Sequence, residues 1–334
     1  MSFYGICRIK NSKKGYFNDF TYFFKKRFSN KMKIKSLAQK YKYFLSIINL
    51  LSKMGDWAAV YQIAAWLAKK YSPYRFQTAL IAQNIREAIN PPSIDLNKYS
   101  IDYLKQQGVF CLNAFFFKKI SLRWVKKHLF IKNNLALENL LNNPQGTLFL
   151  SYHHHYQHLM VSILGLYGKN PSFVAMSPES SPFYEELKFY IDDLHRNTEC
   201  HFGKGKYIFI DPHVSKKNVR EKIYQTFNEN GLVFSLHDNP VQPHRKTQSL
   251  AFLNKKMTIS VGTIEIALEM KKNIFCGLLE WKGGNTFELD IMQLKTDQNI
   301  KEILGDYFNF LESKIKQNPA IWEGWLWFQN CEEL

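Results

Sequence analysis

Acid is scarce in this sequence: 28 Asp and Glu stand against 45 Lys and Arg, leaving a formal net charge of +17 over 334 residues. That imbalance implies an anionic partner, either nucleic acid or an anionic lipid surface. Cysteine is sparse as well. The five (Cys7, Cys111, Cys200, Cys276, Cys331) are far apart and form no CxxC, so neither a zinc ribbon nor a disulfide framework is expected. A reducing compartment is the natural setting. No uncharged apolar stretch follows the basic start, and no signal peptide is expected. The longest candidate span, Tyr43–Ala68, is broken by Lys53 and Asp56, whereas a bilayer crossing needs ~20 predominantly apolar residues. It reads as two amphipathic helices, lying on a membrane or packed on the domain, in a peripheral protein. Repeats and low-complexity linkers are absent.

Aromatic residues are what the chain has in excess, at 16%. They suit apolar ligands or a bilayer interface, or an aromatic-rich core. Residues 1–42 hold twelve Lys or Arg and one acid, Asp19, and their charges alternate with Phe17, Phe20, Tyr22, Phe23, Phe24 and Phe28. Interleaved rings add apolar insertion to the ~1 kcal/mol that each base gains near an anionic leaflet. This favours a membrane over nucleic acid. A second basic stretch runs from Lys118 to Lys132 without an acid.

Three regions follow from texture: a basic aromatic extension over 1–42, a helical membrane-facing region over 43–143, and an α/β core over 144–334. In the second, the apolar spacing of Tyr74–Asn90 predicts an amphipathic helix that ends at Pro91-Pro92. In the third, a buried strand is expected at Gly146–Tyr152, and strands at Ser172–Met176, Tyr207–Ile210, Leu232–Leu236, Ile274–Leu279 and Leu289–Leu294, with Ser249–Leu253 as a further candidate. Helices are expected at Tyr156–Tyr167, Pro182–Leu194, Val219–Asn228, Thr263–Lys271 and Asn299–Lys316. Such alternation predicts an α/β fold with a mainly parallel sheet flanked by helices. Active sites of these folds lie at the carboxyl ends of strands.

Four of the ten histidines fall at one such end, in Ser-Tyr-His-His-His-Tyr-Gln-His (Ser151–His158). One imidazole can act as a general base toward an attacking hydroxyl, because its unperturbed pKa lies near neutrality. A metal site is the competing reading: a helix starting by His154 would put His154 and His158 on one face, with His237 or Asp238 as a third ligand. No further metal-ligand spacing supports it, and the base is preferred, with no metal and no cofactor.

GTLFLSYHHHYQHLMVSILGLYG resembles the strand, His-x4-Asp/Glu motif and apolar helix of the late lipid A acyltransferases, in the lysophospholipid acyltransferase-like superfamily, with His153 at the His position. RFQTALIAQNIREAIN looks like that family's amphipathic helix. NVREKIYQTFNENGLVFSLHDNP resembles its helix and strand leading to an Asp, here Asp238. SLAFLNKKMTISVGTIEIALEMKKNIFCGL looks like its apolar hairpin, Gly-started helix and buried strand, and KQNPAIWEGWLWFQN resembles its Pro-aromatic-Trp ending. The likeness runs in order from about residue 70 to 330.

Four features depart from the pattern. His158 stands where the motif has a carboxylate, Ser177 where an Arg precedes a Pro (here Pro178), Asn254 where a Gly follows the paired aromatics, and the ending reads Phe328-Gln329-Asn330 where the family has basic residues after the last Trp. The resemblance implies transfer of a fatty acyl group from acyl carrier protein or coenzyme A to a hydroxyl of a glycolipid or other lipid-like acceptor. The work would be done at the cytoplasmic face of the inner membrane. His153 is then the base and His158 its orienting partner, with the missing charge supplied by Glu179 or Asp238. Asp238 is expected to shape the substrate site, and Arg245 and Lys246 to meet an anionic acceptor or the donor's phosphopantetheine. The tryptophans of the ending are expected to pack rather than touch substrate. An acyltransferase of a specialised metabolite pathway has the same fold and base. A catalytically dead member that binds lipid or acyl carrier protein is the other alternative.

Overall fold

The computed structural model describes residues 31–55, 58–72, 77–89, 96–180, 184–210, 216–241 and 246–333. Among the described residues four helices come first: α1 (Lys31–Ser52), α2 (Ala58–Tyr71), α3 (Thr78–Ile89) and α4 (Leu96–Phe116). None of the described helices is long and apolar enough to cross a membrane. Each of the first two has one apolar face, Ala38, Tyr41, Phe44, Leu45 and Ile48 on α1 and Val60, Tyr61, Ala64, Ala65 and Ala68 on α2. The spacing of three and four residues turns both faces toward the interior. The α2–α4 approach depends on Gly108, where an added Cβ would fall 2.4 Å from the carbonyl oxygen of Ala64. Tyr61 donates to Asn113 Oδ1 at 3.0 Å and Ser72 to Gln107 Oε1 at 2.6 Å across the same pair of helices.

Beyond a short helix α5 (Leu122–His128), the chain builds the expected mostly parallel sheet. Its strands are β1 (Leu129–Ile131), β2 (Thr147–Ser151), β3 (Pro171–Met176), β4 (Tyr207–Ile210), β5 (Leu232–Leu236), β8 (Asn273–Gly283) and β9 (Thr286–Leu294), in the order β1-β9-β8-β2-β5-β3-β4. Only the β8–β9 hairpin is antiparallel. Between strands lie α6 (Asn134–Asn142), α7 (Gln157–Leu166), α8 (Tyr184–Glu199), α9 (Lys216–Asn228), α10 (Gly262–Glu269) and, after β9, α11 (Ile300–Gln317). The expected helices and strands of the core recur here within a few residues. β1 was not expected, because three residues amid lysines carry no strand period.

Strand alternation divides the core in two. Phe149 of β2 stacks on Phe234 of β5 at 5.5 Å on one face, together with Phe110, Phe173 and α7. Leu148, Leu150, Val233, Ile274 and Cys276 point to the other, where α10, α11 and the terminal tryptophans cover them. Both faces are covered, which is why these strands read as unbroken apolar runs.

The segment expected as a strand at Ser249–Leu253 pairs instead in a separate small antiparallel sheet, β6 (Thr247–Phe252) against β7 (Lys255–Ser260), with β10 (Glu332–Glu333) on the other side of β7. Its two-residue turn has Leu253 at φ 46° and Asn254 at φ 63°. Asn tolerates that left-handed conformation better than most side-chain-bearing residues do.

Candidate active site

The parallel register of β2 and β5 sets Ser151 opposite Leu236. A hydrogen bond from His237 N to the Ser151 carbonyl at 3.0 Å carries the pairing beyond the strands. Two residues further on each side stand His153 and Asp238, and their side chains meet. His153 Nδ1 lies 2.6 Å from Asp238 Oδ1, while the His153 backbone N–H donates to Asp238 Oδ2 at 2.9 Å. The end of β2 is held from behind: Ser151 Oγ donates to the Gly277 carbonyl at 2.9 Å and Tyr307 to the Ser151 carbonyl at 2.7 Å.

Asp238 has no solvent exposure. A carboxylate taken out of water is costly unless every acceptor site is filled. Here His153 and one indole of the C-terminal segment serve the carboxylate, and a second indole serves the main chain of the same residue. Trp322 Nε1 donates to Asp238 Oδ2 at 2.7 Å, and Trp327 Nε1 donates to the Asp238 carbonyl at 3.1 Å. The Trp327 ring also stands edge-on to the His153 imidazole, 5.0 Å between centroids. With Nδ1–H directed at a carboxylate, the tautomer is fixed and Nε2 becomes the basic nitrogen. A buried carboxylate also stabilises the imidazolium that forms when Nε2 takes a proton.

The other three histidines of the cluster have separate duties. His154 is locked in the backbone: Nδ1 donates to the Tyr152 carbonyl at 2.8 Å and Nε2 accepts from Leu279 N at 3.3 Å. Burial lowers its pKa to about 4, so it is neutral at physiological pH. His155 Nδ1 lies 3.0 Å from Glu323 Oε1, both side chains buried, with Tyr103 edge-on to its ring at 4.7 Å.

His158 is the clearest correction. The helix α7 starts at Gln157 rather than by His154, and its first turn carries His158 to the opposite face of the sheet from the tryptophans. There Nδ1 lies 3.0 Å from the Tyr207 hydroxyl, and Phe110, Phe173 and His195 surround the ring. Burial holds its pKa well below the ordinary value. His153 is therefore oriented by Asp238, not by His158, and the His154–His158 ligand pair has no geometric basis. Among the described residues no group of three or more His, Cys, Asp or Glu could hold a metal.

The remaining expected residues are dispersed. Asp238 holds the His153 ring from a fully buried position and has no surface to offer a ligand. Glu179 accepts a hydrogen bond from Ser177. Lys246 lies at the head of β6, 3.2 Å from Glu265 on α10, and Arg245 lies outside the described residues. Sequence reasoning missed Trp322, Trp327 and Glu323. The signal it could have used is a shared offset, since His153 and Asp238 each follow an apolar strand by two residues.

No family model matches the chain, and a search of curated proteins finds no match either.

Proposed function

We propose that the chain is an O-acyltransferase that moves a fatty acyl group from acyl carrier protein or coenzyme A to a hydroxyl of a glycolipid or other lipid-like acceptor. The supporting observation is the buried His153–Asp238 pair at the carboxyl ends of adjacent parallel strands. The likeness in motif order from about residue 70 to 330 gives that pair a family context. Where the motif has its carboxylate at a fixed distance after the His, this chain brings one from the neighbouring strand, so the His158 substitution no longer argues for an inactive protein.

In this reaction Nε2 of His153 takes the acceptor's hydroxyl proton as the oxygen attacks the thioester carbonyl. Asp238 stabilises the imidazolium. The tetrahedral intermediate then collapses, the C–S bond breaks, and the sulfur takes the proton back from His153 and leaves as a thiol, which restores the neutral imidazole. No cofactor enters the balance. The protein works peripherally at an anionic membrane, at the cytoplasmic face of the inner membrane. The test is to incubate purified protein with acyl carrier protein labelled in the acyl chain and with membrane extract. Label should move to an extractable lipid with wild type and stay on the carrier with His153→Ala. No transfer by wild type from either carrier protein or coenzyme A donors would sink the proposal.

A further inference from the structure

Ten large apolar side chains are exposed among the described residues, and six of them lie in the first two helices and the turn after α1: Tyr43, Leu50, Met54, Ile63, Trp66 and Tyr71. Tyr43 and Leu50 are seven residues apart, and Ile63, Trp66 and Lys70 are spaced by three and four. Those spacings put each set on one helix face, opposite the faces buried against the core. Tyr43 is 71% exposed and Tyr71 59%, so these rings are not half-finished core. Charge on the same segment is of one sign. Residues 31–72 hold eight lysines and a single acid, Asp56, and Lys42, Lys53, Lys69 and Lys70 are exposed. Lys70 Nζ sits 4.6 Å from the Trp66 ring centroid, and Tyr71 stands edge-on to that ring at 6.5 Å.

We propose that this face of α1 and α2 seats the protein on an anionic bilayer. Trp66 and Tyr71 lie at headgroup level, Leu50, Met54 and Ile63 enter the acyl boundary, and the lysines meet lipid phosphates. Rings with one apolar and one polar aspect favour that level, and apolar insertion combined with basic charge defines an interfacial helix. Other occupants fit less well. Residues 1–30 carry seven bases and one acid, so they repel this face. A second copy would bring lysine against lysine. Nucleic acid offers phosphates but nothing for Leu50, Met54 and Ile63. The inference names the membrane contact of the acyl-transfer reading, but it is read without turnover, so either can fail alone.

The experiment is co-sedimentation of the full chain with phosphatidylcholine vesicles, with and without phosphatidylglycerol. Binding should require the anionic lipid and weaken with salt. The variant Ile63→Ser/Trp66→Ser/Tyr71→Ser should lower partitioning at least roughly tenfold, and Lys69→Glu/Lys70→Glu by a similar factor. Brominated lipid should quench wild-type tryptophan fluorescence, and Trp66→Phe should lose most of that quenching while still binding. All the changed side chains are solvent-exposed; should the triple variant nonetheless fail to fold, the lysine pair decides. Wild-type partitioning by a folded triple or lysine variant would overturn the proposal and move the contact elsewhere. So would absence of vesicle binding, or a dimer in light scattering that Trp66→Ser dissolves.

Discussion

Trp322 donates its indole N–H to Asp238 Oδ2 across 84 residues of chain. The oxygen not facing the imidazole thus carries two donors, since the His153 backbone N–H reaches it as well. Donors on a carboxylate draw off its charge and fix its rotation. Trp322→Phe removes one of them together with part of a fully buried indole, for a stability loss of about 2–4 kcal/mol. The carboxylate can then rotate away from Nδ1 and leave the ring less well aimed. We expect Trp322→Phe to lower the rate of acyl transfer per folded molecule. An unchanged rate would mean that the indole only packs.

Removing either member of the pair should be decisive for turnover. General base catalysis is typically worth 10²–10⁴-fold, and that is the loss expected for His153→Ala. Asp238→Asn is more informative. Asn can still accept from Trp322 and the His153 backbone, but its NH2 faces Nδ1 and forces the wrong tautomer. In hydrolase triads this change costs roughly four orders of magnitude. Circular dichroism should show folded protein in both cases, and substantial residual transfer in either would remove His153 from the mechanism.

His158 should behave as a core residue. His158→Phe loses a hydrogen bond to Tyr207 worth about 1 kcal/mol and should leave the rate per folded molecule near wild type. His158→Asp places a carboxylate among Phe110, Phe173 and Tyr207, where no cation is in contact with the ring among the described residues. We expect a urea midpoint lowered by several kcal/mol equivalent and no gain in activity. A hundredfold drop in rate for His158→Phe at unchanged stability would restore His158 to the site.

Acid should unfold the protein early. Burial holds the pKa of His154, His195 and His237 at about 4, against an ordinary value of 6.5. Each is neutral when folded and protonates first in the unfolded chain. The penalty is absent above pH 6.5, grows as pH falls from 6.5 toward 4, and levels off below. Each imidazole contributes up to roughly 3 kcal/mol, so two or three together offset most of the stability of an ordinary domain. Urea midpoints taken between pH 7 and 4.5 should fall steeply below pH 6; a flat series would show these rings reachable by water in the native state.

Local pattern made much of the fold legible. The runs at Leu148–Leu150, Phe173–Val174 and Leu232–Phe234 are covered on both faces, and their apolar continuity reports that directly. α11 starts at a capping box, Asn299 with Glu302, and periodicity placed it correctly. What failed were inferences that needed a helix start or a long-range partner. The fixed spacing after His153 singled out His158, but the first turn of α7, which begins at Gln157, carries that ring to the other face of the sheet. The partner, Asp238, lies 85 residues on; the sequence offered it beside Glu179 as a source of charge, and only the strand register, which puts it the same two residues past its strand as His153, chooses between them. Likewise nothing in WEGWLW says that two of its indoles end on one residue, Trp322 on the Asp238 carboxylate and Trp327 on its main-chain carbonyl.

The strap from Trp322 to Trp327 has a consequence for biosynthesis. His153 emerges from the ribosome first and Asp238 later, but the donors that fill Asp238 are made after another 84 residues. During that interval the carboxylate has no indole donors and stays hydrated, and the end of β2 lacks the backbone bond that Glu323 N makes to the His153 carbonyl at 2.9 Å. On the acyl-transfer reading, completion of the His153–Asp238 pair therefore waits for the strap. A chain that stops before Trp322 would carry both members of the pair without the donors that hold them in place.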